Sequence, residues 1–456
     1  MYIVVAGAGL LGSHIAQTMA EEGHDVVVIE QSEVQKETIS RQLDVKTIQG
    51  GAVSPSVLEE AEVRRADIVI ATTSSDEANI VVCFLAKQMG AKRTVARVRN
   101  QEYSGYVILP TDAPTKARKV FRPKNLGIDL IVNPEIVAAD EIRRILSSLY
   151  LTPMDEFAGG DIHLTEFKAT KEDILNKPIK DIDFPKPCSV AVVSRGSETM
   201  IPGNNDTLEQ GDRVYLIASK DDMDELGALF AQPKGKANSA VIVGGGRVGF
   251  HIARQLEDIG VQVKIIEQNM RRCWEISQKL KAVVVHGEGS DYDLLVQERV
   301  ASADAFVATT DRAELNILLG LLGKSLGIKR VLTIVDKPGY VPLAETVGID
   351  IAISPLQLTA GKIARLARLA EVVSVSRLAS GQVEIIEYVA GENSPVTEKP
   401  LSELHLPNGS KILAFINEGV VHFPQSDSIV KSRNHVIIAC GTPQSHAVEK
   451  FFYQKQ

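Results

Sequence analysis

The sequence predicts a doubly wound α/β fold written twice along one chain, each copy followed by a small α+β lobe. Three observations carry that prediction. A glycine loop of pattern G-x-G-x-x-G follows a short apolar strand at Gly7, Gly9 and Gly12, and the same loop returns at Gly244, Gly246 and Gly249. After each loop, short apolar runs alternate with stretches of helical spacing. The copies match far beyond the glycines at a constant spacing of 237 residues, the distance from Gly7 to Gly244. His14 falls on His251, Glu30-Gln31 on Glu267-Gln268, Asp67 on Asp304, Thr72-Thr73 on Thr309-Thr310, Asn79 on Asn316 and Tyr103 on Tyr340. That is duplication of a whole domain.

Within each copy, "YIVVAGA" reads as a strand running into the glycine turn, "SHIAQTMAEEG" as a helix with a glycine stop, and "DVVVIE" as a second strand. "ADIVIATT" and "ADAFVATT" are further strands, and "ANIVVCFLAKQMG" is a helix. Their short apolar runs suit a parallel sheet covered on both faces, so each copy is expected to be Rossmann-like. The helix after "ATT" is expected to start at a capping box, Ser74 to Glu77 in one copy and Asp311 to Glu314 in the other. Beyond Tyr103 the first copy carries "SGYVILPTDAPTKARKVFRPKNL" where the second has "VPLAETV", so it holds an inserted loop of 16 residues before "GIDLIVNP" rejoins "GIDIAISP".

After each copy the pattern changes. "NPEIVAADEIRRILSSLY" and "SPLQLTAGKIARLARLA" read as single linking helices, and roughly eighty β-rich residues follow each. Hairpin turns are expected at Arg195-Gly196-Ser197 and Asn417-Glu418-Gly419, with a short closing helix at the end of each lobe. Ala231 to Ser239 is the expected linker. The predicted division is 1–133 and 239–354 for the two nucleotide-binding lobes, and 134–231 and 355–456 for a linking helix with its C-terminal lobe.

Composition excludes several classes. A formal net charge of −8 argues against general nucleic-acid binding. Four widely spaced cysteines form no C-x-x-C pair, which fits a reducing compartment and suggests neither a zinc site nor a disulfide framework. "MYIVVAGAGLLG" passes directly into the glycine loop without a signal-peptide pattern, and no apolar run is long enough to span a bilayer. A membrane role would therefore come through a partner.

The glycine loops are the candidate sites. The first glycine allows the tight turn, the second lets a pyrophosphate approach the backbone, and the third lets helix pack on strand. The helix N-terminus then offers free N–H groups to the phosphate. Candidate cofactor-binding residues in the first copy are Gly7, Ala8, Gly9, Leu10, Leu11, Gly12, Glu30, Gln31, Gly51, Ala52, Thr72, Thr73, Ser74 and Arg97. In the second they are Gly244, Gly245, Gly246, Arg247, Val248, Gly249, Glu267, Gln268, Glu288, Thr309, Thr310 and Asp311. Glu30 and Glu267 end the second strands, where a carboxylate accepts hydrogen bonds from ribose hydroxyls and repels a 2′-phosphate. That favours NAD(H) or an adenosine nucleotide, ATP or ADP, over NADP.

The copies differ at these positions. Arg247 stands where the first loop has Leu10, so only the second loop carries a guanidinium for a terminal phosphate. Arg97 ends a strand where the second copy has Ile334, and is free to meet a phosphate or an acidic neighbour. His14 and His251 follow the third glycines and are read as structural. Catalytic triads, metal-ligand spacings and a P-loop Gly-Lys-Ser/Thr are absent, so no catalytic residue and no metal ligand is assigned. An NAD-dependent oxidoreductase, or a ligand sensor for another transporter, is the rival reading.

"VVAGAGLLG", "VVVIEQ", "ADIVIATTSSDEAN" and "RVRNQEY" with "LIVNPE", repeated as "VIVGGGRVG", "VKIIEQN", "ADAFVATTDRAELN" and "GIDIAISP", resemble tandem RCK domains, the regulators of potassium conductance. The resemblance spans the whole chain. It implies a cytoplasmic, non-enzymatic gating regulator, peripheral on the inner face of the cell membrane. Its implied partners are a Trk-type potassium-translocating subunit (TrkH/TrkG type) and further copies of itself, as a homo-oligomeric ring from two chains or four. It also implies nucleotide contacts through the glycine loops, Glu30, Glu267 and the paired threonines, with the linking helices at Pro134 and Pro355 transmitting the change. The family pattern has Gly-Asp after the third strand, whereas this chain has Gly50-Gly51 and Gly287-Glu288, so the first copy lacks that carboxylate. Glu135 matches a glutamate that helps hold a cation near ATP in some relatives, and the second copy has Leu356 there. The resemblance therefore implies two sites that differ in ligand.

Overall fold

The computed structural model describes residues 1–104, 106–107, 118–119, 123–147, 153–196, 198–230, 236–367, 372–378, 382–397 and 399–452. The first copy begins with β1 (Tyr2–Ala6), α1 (Leu10–Glu21), β2 (Asp25–Glu30), α2 (Glu33–Gln42), β3 (Lys46–Gln49), α3 (Pro55–Glu60), β4 (Ile68–Ala71), α4 (Asp76–Met89) and β5 (Arg93–Arg97). Most of the inserted segment lies outside the described residues, apart from β6 (Tyr106–Val107) paired antiparallel with β7 (Arg118–Lys119). β8 (Leu130–Val132) then leads into α5 (Pro134–Ser147). The first C-terminal lobe comprises β9 (Pro153–Phe157), β10 (Ile162–Lys168), β11 (Cys188–Arg195), β12 (Glu198–Met200), β13 (Arg213–Ser219) and α6 (Met223–Phe230).

The second copy repeats the order: β14 (Ser239–Val243), α7 (Arg247–Asp258), β15 (Gln262–Glu267), α8 (Met270–Ser277), β16 (Val283–His286), α9 (Tyr292–Gln297), β17 (Ala305–Ala308), α10 (Ala313–Ser325), β18 (Arg330–Ile334), α11 (Tyr340–Thr346), β19 (Ile351–Ile353) and α12 (Pro355–Ala367). Its C-terminal lobe holds β20 (Val372–Leu378), β21 (Val383–Val389), β22 (Ser410–Asn417), β23 (Val420–His422), β24 (His435–Gly441) and α13 (Ser445–Phe452).

Both N-terminal sheets are parallel and six-stranded, in the orders β3-β2-β1-β4-β5-β8 and β16-β15-β14-β17-β18-β19, the doubly wound arrangement the sequence predicts. β4 and β17 are buried at every position, which explains their unbroken apolar runs. Both C-terminal sheets are antiparallel and five-stranded with matching order. Glu418 and Gly419 both have positive φ, 52° and 81°, so the β22–β23 hairpin turns in the primed geometry that matches strand twist. Ser197 and residues 231–235 of the linker lie outside the described residues.

The chain forms two compact units, residues 1–146 with 237–367, and 147–236 with 368–456. Within the first unit the linking helices are exchanged. Ala138, Ala139, Ile142, Ile145 and Leu146 of α5 join the core of the second sheet, packing with Ile242, Ile252, Ala253 and Leu256. Reciprocally, Ala360 and Ile363 of α12 join the core of the first sheet, with Ile3, Val5, Ile15 and Met19. The Gln255 amide donates to Asp140 at 2.8 Å beside the α5 contact. Each N-terminal lobe is thus completed by the other copy's helix.

Within the second unit the two C-terminal sheets share one core, where Phe157, Leu164, Val192 and Ile217 meet Ile385, Leu413, Ile437 and Ala439. Glu387 is fully buried there, and its carboxylate accepts from the Ala158 N–H at 3.0 Å and meets the His435 ring nitrogen at 2.6 Å.

The capping boxes expected before α4 and α10 do not form. Ser75, not Ser74, caps α4 by accepting from Ala78 N, while Arg312 precedes α10 without a side-chain cap. Asn79 and Asn316 instead hold the loop ahead of each helix. Their Oδ1 atoms accept from the backbone N–H of Thr73 and Thr310, each at 2.8 Å, and their amides donate across to Arg97 O and Ile334 O at 2.9 Å. The loop is tied to the neighbouring strand end by a side chain inside the helix.

Candidate functional site: two glycine-loop clefts

Each cleft opens at the carboxyl ends of the strands, where the order reverses between β1 and β4 or between β14 and β17. Gly7 and Gly244 take φ of 98° and 103°, and a side chain there would press on the backbone at Thr73 or Thr310. A Cβ at Gly12 or Gly249 would overlap the carbonyl oxygen of Gly7 or Gly244. Gly9 and Gly246 differ, because a Cβ there meets no atom within 4 Å. They cap α1 and α7 without a side-chain hydrogen bond, so the first-turn N–H groups face the cleft mouth with no protein cap.

The first cleft has a volume of about 370 Å³. Of the predicted residues, the structure places Gly7, Gly9, Glu30, Gln31, Ala52, Thr72, Thr73, Ser74 and Arg97 along it. The second, of about 520 Å³, is lined by Gly244, Gly246, Glu267, Gln268, Glu288, Thr309, Thr310 and Asp311. The others lie elsewhere. Ala8 and Gly245 are buried beneath the loops, Leu11 is in the core, and Leu10 and Arg247 project into solvent from the first helical position. Gly12 and Gly249 are packing positions, Val248 rests against the core, and Gly51 sits in the turn ahead of α3.

The glutamates are held alike. The Ala8 N–H donates to one Glu30 oxygen at 2.7 Å and Ser32 N–H to the other at 2.8 Å. Gly245 and Asn269 N–H donate to Glu267 in the same way, both at 2.7 Å. A carboxylate has about four lone-pair sites, so each glutamate is oriented by two backbone donors and keeps capacity for a diol. The threonine hydroxyls turn inward. Those of Thr72 and Thr309 donate to Gly7 O and Gly244 O at 3.0 and 2.8 Å, and those of Thr73 and Thr310 donate to the two asparagines. They brace the cleft and leave backbone at its surface.

The guanidinium of the second cleft comes from Arg272 on α8, whereas Arg247 is outside the lining. Arg272 Nε donates to Gly245 O at 2.7 Å, Nη1 pairs with Glu275 at 3.1 Å, and the group lies 5.7 Å from the Phe250 ring centre. Arg312 also lines this cleft. The spacing of 237 places Gln35 opposite Arg272, a signal the duplication already contained. In the first cleft Arg97 donates weakly to Thr73 O at 3.4 Å, and its buried Nε has no hydrogen-bond partner. Glu135 is outside this lining and pairs with Arg99 at 3.4 Å. The Glu288 carboxylate accepts from the Ser290 hydroxyl at 2.8 Å.

Burial pushes the pKa of His14 and His251 below the usual imidazole range, as expected of helix-packing residues. Burial also pushes the Cys83 thiol up to about 12. Among the described residues, no group of three or more His, Cys, Asp or Glu is placed to hold a metal ion, and no helix is long and apolar enough to cross a membrane.

A doubly wound lobe with a glycine-loop cleft, written twice and each time followed by a small antiparallel lobe, defines a tandem dinucleotide-fold protein. The TrkA-N domain model matches residues 3–134 and 240–355, and the TrkA-C domain model matches 164–231. The chain belongs to the TrkA family. Among relatives, the Trk system potassium uptake protein TrkA homolog 2 of Methanosarcina mazei is 32% identical, over 99% of this chain and 100% of its own. The Trk system potassium uptake protein TrkA of Halomonas elongata is also 32% identical, over 96% of this chain and 95% of its own. In fold, the chain is similar to the GsuK channel bound to NAD, with a TM-score of 0.63 at 18% identity, covering 99% of this chain and 78% of that one. It is likewise similar to the GsuK RCK domain, with a TM-score of 0.61 at 17% identity, covering 99% and 94%.

Proposed function

We propose that this chain is a nucleotide-binding regulatory subunit of a Trk-type potassium uptake system, working on the cytoplasmic face of the membrane through a potassium-translocating partner of the TrkH/TrkG type. The observation that carries the reading is the duplicated cleft. In each, an unobstructed second glycine and an uncapped helix N-terminus stand beside a carboxylate already oriented by two backbone donors. A pyrophosphate suits the N–H groups and a ribose diol suits Glu30 or Glu267. NAD(H) and ATP or ADP are the proposed ligands, and the GsuK structures described as bound to NAD and to ADP support that choice.

The clefts are proposed to differ in preference. Arg97 offers the first a guanidinium with an unused donor, while the second combines Arg272 and Arg312 with Glu288 and Asp311. We take residues 1–133 and 239–354 as the binding lobes, and the linking helices with the C-terminal lobes, 134–231 and 355–456, as the parts that relay their state. Neither lining, as described, contains the His, Lys or Tyr that hydride transfer to a carbonyl would call on, which favours regulation over oxidoreduction.

Ligand moves such a regulator only by binding two conformations unequally. The exchanged α5 and α12 offer the route, since each leaves one lobe and completes the core of the other. Exposed apolar side chains, Val81 and Phe84 on α4 and Leu318 on α10, suit contacts between copies in a ring. Co-purification of the membrane partner, followed by potassium flux through that complex in liposomes, tests the reading. Flux is expected to change with added nucleotide; nucleotide-independent flux contradicts the proposal.

A further inference from the structure

α2 and α8 occupy the same place in the two copies, so each serves as the reference for the other. Between residues 32 and 46 the first copy has three basic and three acidic side chains, and Arg41 on α2 pairs with Glu37 at 3.0 Å. Between 269 and 283 the second has four basic side chains and one acidic. Glu275 is taken by Arg272, which leaves Arg271, Lys279 and Lys281 exposed and without an ion pair among the described residues. The same segment carries Trp274 in the place of Glu37 and Met270 in the place of Glu33, one helical turn apart and 67% and 62% exposed. Val283, which opens the edge strand β16, is 59% exposed.

We infer that the α8 face of the second lobe is a docking surface for an anionic lipid bilayer. Unpaired lysines and arginine attract acidic headgroups, while an indole and a thioether are suited to the boundary between headgroup and acyl chain. Met270 and Trp274 are exposed on α8 and lie outside the lining of the adjacent cleft, an arrangement that fits a fluid surface better than a peptide needing a groove. The first copy has Glu33 and Glu37 in the places of Met270 and Trp274, with Glu37 paired to Arg41, and lacks this chemistry, so one lobe of the two faces the membrane. The proposal stands apart from nucleotide binding.

Trp274 is the only tryptophan of the chain, so its emission reports this surface alone. The full-length protein, mixed with vesicles of equal parts phosphatidylglycerol and phosphatidylcholine, is expected to co-sediment and to shift its emission to the blue. Vesicles of phosphatidylcholine alone should do neither, and added salt should reverse the effect. The double variant Lys279→Glu, Lys281→Glu should partition on the order of thirtyfold more weakly, and Met270→Glu should lose the blue shift, with nucleotide affinity unchanged in both. Unchanged emission with no co-sedimentation overturns the proposal. So does a blue shift that grows with protein concentration without lipid, which would mean that a second copy covers this face.

Discussion

Gln35 and Arg272 stand at equivalent positions of the two copies and perform the same task with different chemistry. Gln35 Nε2 donates to Ala8 O at 2.9 Å, and Arg272 Nε donates to Gly245 O at 2.7 Å. Each fixes the carbonyl of the second residue of its glycine loop. Only Arg272 brings a positive charge to the cleft it braces, so the two sites share a framework and differ in electrostatics.

Replacing Arg272 with Gln retains a donor to the loop and removes the charge. Charge-assisted hydrogen bonds contribute roughly 1.5–3 kcal/mol, so nucleotide affinity at the second cleft should fall about tenfold to a hundredfold. Gln35→Ala should cost the first cleft only several-fold. Titration calorimetry on a background lacking the opposite site measures each.

Adjacent loop glycines should separate folding from binding. Gly12→Ala sets a Cβ against Gly7 O and should destabilise the protein by about 1–3 kcal/mol in denaturant unfolding. Gly9 has φ of −66° and open space, so Gly9→Ala should change stability by less than about 0.5 kcal/mol while weakening nucleotide binding tenfold or more. Equal affinity in Gly9→Ala and wild type would show that no ligand approaches that backbone.

The helix exchange predicts effects in the wrong copy. Ile142→Ala removes buried apolar volume from the second sheet's core, at a cost of about 2–5 kcal/mol. Hydrogen exchange should accelerate in β14 and α7 ahead of β1 and α1. Ile363→Ala should show the reverse.

His251 titrates below the usual imidazole range, chiefly because it is buried; Glu135 and Asp140 oppose the shift, and Arg254 and Arg272 add to it. His14 is lowered by burial as well. With the folded value depressed, the unfolded chain takes up protons first. This contribution to stability is therefore complete above about pH 6.5 and is lost as pH falls through that value toward the folded pKa. Melting temperature should drop between about pH 7.5 and about pH 5, and His14→Gln with His251→Gln should flatten that slope.

The duplication, the strand order and the two glycine loops were legible in the sequence, because backbone geometry there demands particular residues at fixed spacing. The linking helices were legible as helices, but their exchange was not, since an apolar face such as that of Ala138, Ile142 and Ile145 does not encode which sheet it covers. Arg247 lies inside the loop in sequence, yet the first position of α7 points outward and the guanidinium arrives from α8. Asn79 and Asn316 showed only as matching letters; their role appears once a helix side chain is seen to reach the loop before it.

Calorimetric stoichiometry tests the central claim most directly. Wild-type protein titrated with ATP, ADP and NADH should bind two nucleotides per chain in total, with ligand preferences differing between the sites. Glu30→Ala and Glu267→Ala should each lose a different one of the two. Two undiminished sites in both variants would contradict the account.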